Sequence, residues 1–227
     1  MEPNIAYIAK LIGDPARSKM LTALMSGKAL SATELSLEAG ITAQTASSHL
    51  GKLLEGELIV VRKQGRHKYF QLRCAEVAEL IEQMLNIGAK VSVANISTGP
   101  KDERLRKSRV CYDHLAGEVA VQLFDALVAK GCFIERDYEL VLTELGRTFF
   151  KRLGADFDVL RSSRRPLCKS CLDWSERRSH LAGSLGKWVL HDAIGRSWAK
   201  QDLDSRAIRF TEKGFQAFAK QYGMEAP

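Results

Sequence analysis

Apolar positions in the first third of the chain recur at helical spacing. Leu21, Leu24 and Met25 give one apolar face to a segment that opens on Asp14-Pro15, an N-cap followed by proline at the first helical position, and ends near Gly27. Ser31-Ala-Thr-Glu34 has the form of a capping box, in which serine and glutamate each satisfy the other's orphan backbone donor. It predicts a short helix that stops at Gly40. Thr42 then caps a further helix, with Ala46, Leu50, Leu53 and Leu54 at i, i+4, i+7 and i+8 along one buried stripe. The opposite face stays polar, with Gln44, Thr45, Ser47, Ser48 and Lys52. Beyond Gly56 the pattern changes to two β-prone runs, Leu58-Ile-Val-Val-Arg-Lys63 and Lys68-Tyr-Phe-Gln-Leu72, around Gln64-Gly-Arg-His67, which predicts a β-hairpin. Helical spacing returns over residues 75–94, where Val77, Leu80, Ile81, Met84, Leu85, Gly88 and Val91 form a broad apolar stripe. That stripe is expected to be the seam of a homodimer.

Charge gives this helix, turn, helix, hairpin order a chemistry. The 227 residues carry 34 basic and 27 acidic side chains, a formal net charge of +7 that favours a polyanionic partner without naming it. Position is more informative. Arg62, Lys63, Arg66, His67 and Lys68 cluster on the hairpin, where a wing would graze a phosphate backbone. Short hydroxyls and amides from Thr42 to Lys52 suit base edges and phosphates in a major groove. An isolated basic hairpin reads as a solvated tip. Preceded by a helix pair it reads as part of a double-stranded DNA interface, because phosphate and groove contacts act together. His49, beside the buried stripe, fits a packing role as well as a phosphate contact.

The string Ala39-Gly-Ile-Thr-Ala-Gln-Thr-Ala-Ser-Ser-His-Leu50, followed by Gln64-Gly-Arg-His-Lys-Tyr69, resembles the arsenical-repressor (ArsR/SmtB) family of winged helix-turn-helix regulators. The resemblance implies a homodimeric repressor that leaves its operator when an inducer binds, with residues 42–52 as the recognition surface and 62–68 as the wing. Metal-sensing relatives commonly place paired cysteines on the helix before the recognition helix, whereas Glu34-Leu-Ser-Leu-Glu38 here has none. Others use His with Asp or Glu on the helix after the wing. Residues 75–94 contain no His or Asp, and Glu76, Glu79 and Glu82 lack the nitrogen or sulfur partners that zinc prefers. The inducer therefore stays open among a small molecule, a metal and an oxidant.

The second half opens with a polar stretch over residues 97–108, expected to be a linker between a DNA-binding and dimerisation domain at 1–96 and an effector or dimerisation region at 109–227. That region repeats itself. His114-Leu-Ala-Gly117 and His180-Leu-Ala-Gly183 each precede a helical apolar pattern. Leu142-Thr-Glu-Leu-Gly146 with Phe150 is echoed by Phe210-Thr-Glu-Lys-Gly214 with Phe218. Each copy reads as helix, strand, turn, strand, helix. The expected fold class is mainly α with small β-hairpins (α+β): an N-terminal winged helix-turn-helix, then two repeated winged-helix-like modules.

Cys168-Lys-Ser-Cys171 stands between arginine-rich flanks, which favour thiolate, and could grip a soft metal ion or sense an oxidant. Cys111, Asp113, His114 and His180 are the nearby candidates by motif symmetry, yet no second Cys-x-x-Cys completes a four-ligand set. A small-molecule pocket and an inert structural pair remain open readings, and the two histidines also fit repeated helix-start packing. Five Cys without framework spacing point to a reducing, cytoplasmic setting. No apolar run reaches the ~20 residues of a membrane helix. No His is followed two residues on by Glu, Leu167 separates Pro166 from Cys168, and neither Gly-x-Ser-x-Gly nor a P-loop is present, so an enzyme is not expected. The alternative to a DNA-binding regulator is a winged-helix module for protein interaction.

Overall fold

The computed structural model describes residues 4–65, 67–91, 100, 102–136, 139–162, 165–203 and 205–224, with the backbone alone at 89–91. The chain divides into two compact units, Met1–Leu85 and Asn86–Pro227.

The first unit begins with α1 (Ile5–Ile12), capped by Asn4, and α2 (Pro15–Leu24), capped by Asp14 with Pro15 at N1. The apolar pattern signals α2 but not α1. Arg17 of α2 secures α1 from outside: Nε donates to Leu11 O at 2.6 Å and Nη2 to Lys10 O at 2.7 Å, satisfying carbonyls a helix end leaves orphaned. The capping box forms as its residue types require, and it opens α3 (Ala32–Ala39). Gly40 closes α3 at φ +68°, a left-handed conformation that favours glycine, and Ile41 N bonds back to Ser36 O. Thr42 then starts α4 (Ala43–Glu55).

The hairpin consists of β2 (Ile59–Gln64) and β3 (His67–Leu72). The ladder runs out to Gln64 opposite His67, so the expected four-residue turn is tighter by a pair. A two-residue strand, β1 (Leu30–Ser31), too short to show an alternation, adds to the other edge of β3 and makes the order β1-β3-β2. Met20, Leu21, Leu24, Leu35, Ala46, Leu50, Leu53, Ile59 and Phe70 are buried together as the core beneath the sheet and helices. The helix expected over residues 75–94 is described as α5 (Ala75–Val91).

In the second unit, residues 103–107, expected within the polar linker, form a short helix, α6 (Glu103–Lys107), capped by Asp102. The succession hairpin, helix, hairpin, helix then occurs twice. The first comprises β4 (Arg109–Cys111), β5 (His114–Ala116), α7 (Glu118–Ala129), β6 (Phe133–Arg136), β7 (Glu139–Leu142) and α8 (Glu144–Arg152). After α9 (Phe157–Arg161) the second comprises β8 (Lys169–Leu172), β9 (Ser179–Ala182), α10 (Gly183–Gly195), β10 (Ala199–Gln201), β11 (Ile208–Phe210) and α11 (Glu212–Tyr222). Each succession opens on a hairpin that the helical apolar pattern does not signal: His114 and His180 lie in strands β5 and β9, not at helix starts.

The corners before α8 and α11 share a geometry. Thr143 and Thr211 each accept from the amide three residues on, Gly146 and Gly214, at 3.0 Å. A Cβ on Gly146 would stand 2.3 Å from Cys132 O, and one on Gly214 2.2 Å from Trp198 O, so both positions require the missing side chain. One hydrophobic core serves both successions, with Leu123, Phe133 and Phe150 from the first packed with Leu185, Val189, Phe218 and Tyr222 from the second.

Candidate nucleic-acid interface and a buried cysteine-histidine cluster

Helix α4 is divided by its sequence into a core face and a solvent face. Ala46, Leu50 and Leu53 are buried, whereas Thr42, Gln44, Thr45, Ser47, Ser48 and Lys52 are all exposed. Three exposed hydroxyls are engaged locally. Thr42 Oγ1 accepts from Thr45 N at 3.2 Å and lies 2.9 Å from Thr45 Oγ1, and Ser47 Oγ donates to Ala43 O at 3.0 Å. Gln44, Ser48 and Lys52 fall at i, i+4 and i+8, one outward row with an amide, a hydroxyl and a charge. His49 takes another role: its Nδ1 lies 3.2 Å from Arg17 Nη1 and 3.7 Å from Asp14 Oδ1. It joins α4 to the Arg17 clamp rather than to the outward row.

The wing carries its charge in cross-strand pairs. Arg62 stands opposite Tyr69, Lys63 opposite Lys68 and Gln64 opposite His67, and Arg62, Lys63, His67 and Lys68 are exposed. Arg66 lies outside the described residues. Two lysines directly opposite each other repel and weaken a hairpin, so the pair is a local cost that a polyanion would offset. Among the described residues no acidic side chain forms an ion pair with Arg62, Lys63 or Lys68.

In the second unit, four of the five effector candidates converge. Antiparallel register places Cys111 opposite His114 across β4–β5, and Cys171 opposite His180 across β8–β9. The two hairpins meet at these pairs. His114 Nε2 lies 3.1 Å from His180 Nε2, the rings stack at 5.1 Å between centroids, and the donor atoms of His114, Cys171 and His180 lie within 4.8 Å of one another. The Cys111 thiol sits within hydrogen-bonding reach of Cys171, His114 and His180. All four residues are buried. Hydrogen bonding from Cys171, then from both histidines, holds the Cys111 thiol well below the usual thiol range despite its burial. Burial pushes the His180 imidazole down, against the opposing effects of Cys111 and Asp173.

Each histidine has a carboxylate behind it. Asp113 Oδ1 lies 3.5 Å from His114 Nδ1, and Asp173 Oδ2 lies 3.6 Å from His180 Nδ1. Burial is the largest single effect and raises both acids, but the opposing effects together outweigh it and keep both below the usual carboxylate range: His114 and Arg165 at Asp113, Arg109 and His180 at Asp173.

Cys168 stands apart. Its Sγ donates to Leu140 O at 3.2 Å, and burial pushes its thiol up. Cys168 sits in the bend before β8 (Lys169–Leu172), whereas Cys171 lies within the strand, opposite His180. The structure thus brings Cys171 together with Cys111, not with its sequence neighbour. The repeated Cys and His were the available signal, obscured because Cys111 precedes its histidine by a tight turn and Cys171 precedes its own by a longer one. An open groove elsewhere in this unit is lined by Lys130, Cys132, Glu144, Leu145, Phe149 and Arg152, none of them in the cluster.

Residues 12–62 match a family model described as a helix-turn-helix domain. Over 225 residues the chain is 42% identical to the Uncharacterized HTH-type transcriptional regulator YdfF of Bacillus subtilis (strain 168), an alignment that covers 99% of this chain and 100% of that one. Among solved structures it is similar to the homodimeric winged helix-turn-helix DNA-binding domain of Mb0332 from Mycobacterium bovis, at 22% identity and a TM-score of 0.36, covering 38% of this chain and 80% of that one. HlyU from Vibrio cholerae N16961 is 27% identical with a TM-score of 0.34, covering 38% and 97% respectively. No helix among the described residues is long and apolar enough to cross a membrane. With near-complete alignment to YdfF and a helix-turn-helix in its first unit, the chain belongs to the family of HTH-type transcriptional regulators.

Proposed function

We propose that this chain is a cytoplasmic, homodimeric repressor of the arsenical-repressor type, and not an enzyme. Helix α4 reads base edges in the major groove of a double-stranded operator, the β2–β3 wing tracks phosphates, and residues 109–227 receive the inducing signal. The observation that carries this reading is the outward row Gln44, Ser48 and Lys52 on a helix whose other face is locked into the core. The unrelieved Lys63 and Lys68 pair on the adjacent wing supports it. For the dimer, support comes from α5: Leu80, Met84 and Ile87 fall at i, i+4 and i+7 and are 38%, 40% and 60% exposed, an apolar ridge that a second copy would cover.

We read the two hairpin-helix-hairpin-helix successions as a duplicated winged-helix-like module that biases the dimer between DNA-competent and incompetent states. A ligand shifts such an equilibrium only by its differential affinity for the two states. The test is a mobility-shift titration of the full chain on DNA from upstream of its own gene against random DNA of equal length, with sedimentation to establish the dimer. Specific affinity at least ~10³-fold above non-specific is expected. Equal affinity for both DNAs would overturn the reading in favour of a protein-interaction module.

A further inference from the structure

We propose that Cys111, His114, Cys171 and His180 form a mononuclear zinc site, a closed Cys2His2 centre that fastens the β4–β5 hairpin to the β8–β9 hairpin. The donor set is the first argument. Two thiols and two imidazoles are a standard tetrahedral set for zinc, and each hairpin supplies one of each from directly opposed ladder positions. Strand pairing therefore fixes each Cys and His relative to the other before any metal arrives.

The distances are the second argument. With zinc-nitrogen bonds of about 2.0–2.1 Å, two nitrogens of a tetrahedron stand ~3.3 Å apart. His114 Nε2 and His180 Nε2 stand 3.1 Å apart, with Cys171 and Cys111 in reach of both. The donor atoms of His114, Cys171 and His180 lie within 4.8 Å of one another, room for one ion, and the Cys111 thiol bonds to all three.

The surrounding groups are the third argument. Metal-binding histidines generally turn their other ring nitrogen to a carboxylate, which fixes the tautomer and leaves the ligating nitrogen unprotonated. Asp113 Oδ1 stands 3.5 Å from His114 Nδ1 and Asp173 Oδ2 3.6 Å from His180 Nδ1, placed to take up a proton held on each Nδ1 once both Nε2 atoms bind a metal. Two imidazole nitrogens and two thiols converging in a space closed to solvent are a donor set that suits a soft cation. Charge closes as well. Zinc displaces one proton from each thiol, both released to solvent, and the resulting ion with two thiolates and two neutral imidazoles carries no net charge. The carboxylates behind are offset separately, Asp173 by Arg109 at 2.7 Å and Asp113 by Arg165.

Four protein donors fill the tetrahedron, which makes this a structural centre with no position for an incoming ligand. Its place also follows: it joins the first succession of the second unit to the second, 60 residues from Cys111 to Cys171 and 66 from His114 to His180. The site is independent of whether the first unit binds DNA.

Metal analysis of the purified full chain, expressed without added metal and dialysed against a chelator, should find one zinc per chain. A mercurial thiol reagent should release it to a colorimetric indicator. Cobalt reconstitution should give tetrahedral d–d bands with the near-ultraviolet charge transfer of two thiolates. Cys111→Ser and Cys171→Ser should each reduce zinc from one to near none, while Cys168→Ser keeps one. His180→Cys should keep the metal and shift the cobalt spectrum toward three thiolates. Should the serine variants fail to fold, the wild-type cobalt spectrum decides alone: bands without thiolate charge transfer would overturn the proposal. So would zinc that survives Cys111→Ser, zinc lost with Cys168→Ser, iron with acid-labile sulfide, or a metal-free protein carrying a Cys111–Cys171 disulfide.

Discussion

Arg109 Nη2 lies 2.7 Å from Asp173 Oδ1, with both side chains closed to solvent at 2% and 0% exposure. Arg109 begins β4 and Asp173 follows β8, so the pair crosses between the two successions of the second unit beside the cysteine-histidine cluster. Asp173 is satisfied on every side: Gly117 N donates to Oδ2 at 2.7 Å and Ser175 Oγ to Oδ1 at 2.7 Å. The guanidinium also stands 5.1 Å from the Trp174 ring. Removing one partner of such a pair leaves the other as an uncompensated buried charge. Asp173→Ala should cost the second unit about 3–5 kcal/mol in urea denaturation. An unshifted midpoint would mean that water reaches Arg109 once the acid is gone.

A second prediction concerns pH and the first unit. Asp14 accepts from Ala16 N and Arg17 N at 3.0 Å each, and the Arg17 amide bond, ahead of the Arg17 and His49 charges, holds its carboxyl below the usual range. A carboxyl depressed in the folded state stabilises above its unfolded value, ~3.9, and loses that contribution as pH falls through the lower folded value. Asp14→Ala should therefore cost about 1 kcal/mol at pH 7, and the gap from wild type should narrow below pH ~4. Asp14→Asn keeps the cap without the charge. Urea midpoints at neutral and acid pH check this, and a gap that stays constant would assign the effect to packing.

The two units differ in how far local residues announce them. Ser31 with Glu34, Asp14 with Pro15 and Gly40 before Thr42 are caps whose chemistry is complete within four residues, so the helix-turn-helix could be traced from them. The outward row of α4 followed from the same periodicity. The Cys and His cluster is different, because its neighbours are set by strand register between segments far apart in the chain. Cys168-Lys-Ser-Cys171 drew attention as a spaced pair, yet that spacing brings two thiols together only on a turn or helix. Here Cys168 lies in a bend and bonds Leu140 O, while Cys171 belongs to β8 and faces the histidines. His114 and His180 looked like helix starts because the helices α7 and α10 follow within four residues, and three-residue strands such as β4 and β5 show too little alternation to be noticed. His49 was ambiguous for a related reason: which neighbour it meets depends on where Arg17 lies in space.

The wing offers a prediction with two independent readouts. Lys63 and Lys68 face each other across the ladder, so Lys63→Ala with Lys68→Ala removes a repulsion in the free protein and two phosphate contacts in the complex. Thermal stability should rise by about 0.2–1 kcal/mol. The slope of log affinity against log salt should fall by about 2, equally for operator and random DNA. A rise in stability with an unchanged slope would remove this pair from the interface while leaving the hairpin energetics intact.

The last prediction separates reading from packing on a single helix. Gln44 is exposed near the start of α4, and its amide can bond N6 and N7 on the major-groove edge of an adenine, whereas His49, five residues on, is drawn toward Arg17 and Asp14. Gln44→Ala should cost about 1–3 kcal/mol on operator DNA and little on random DNA, with the melting temperature unchanged. His49→Ala should do the reverse: it should destabilise the first unit, since Arg17 Nη1 loses a neighbour in a crowded clamp, while leaving the ratio of operator to random affinity as it was. Measuring both variants for melting and for binding to the two DNAs gives four numbers, and the pattern matters more than any one of them. If His49→Ala changes the ratio and Gln44→Ala does not, α4 meets DNA through a different face from the row Gln44, Ser48 and Lys52, and the assignment of its recognition surface falls.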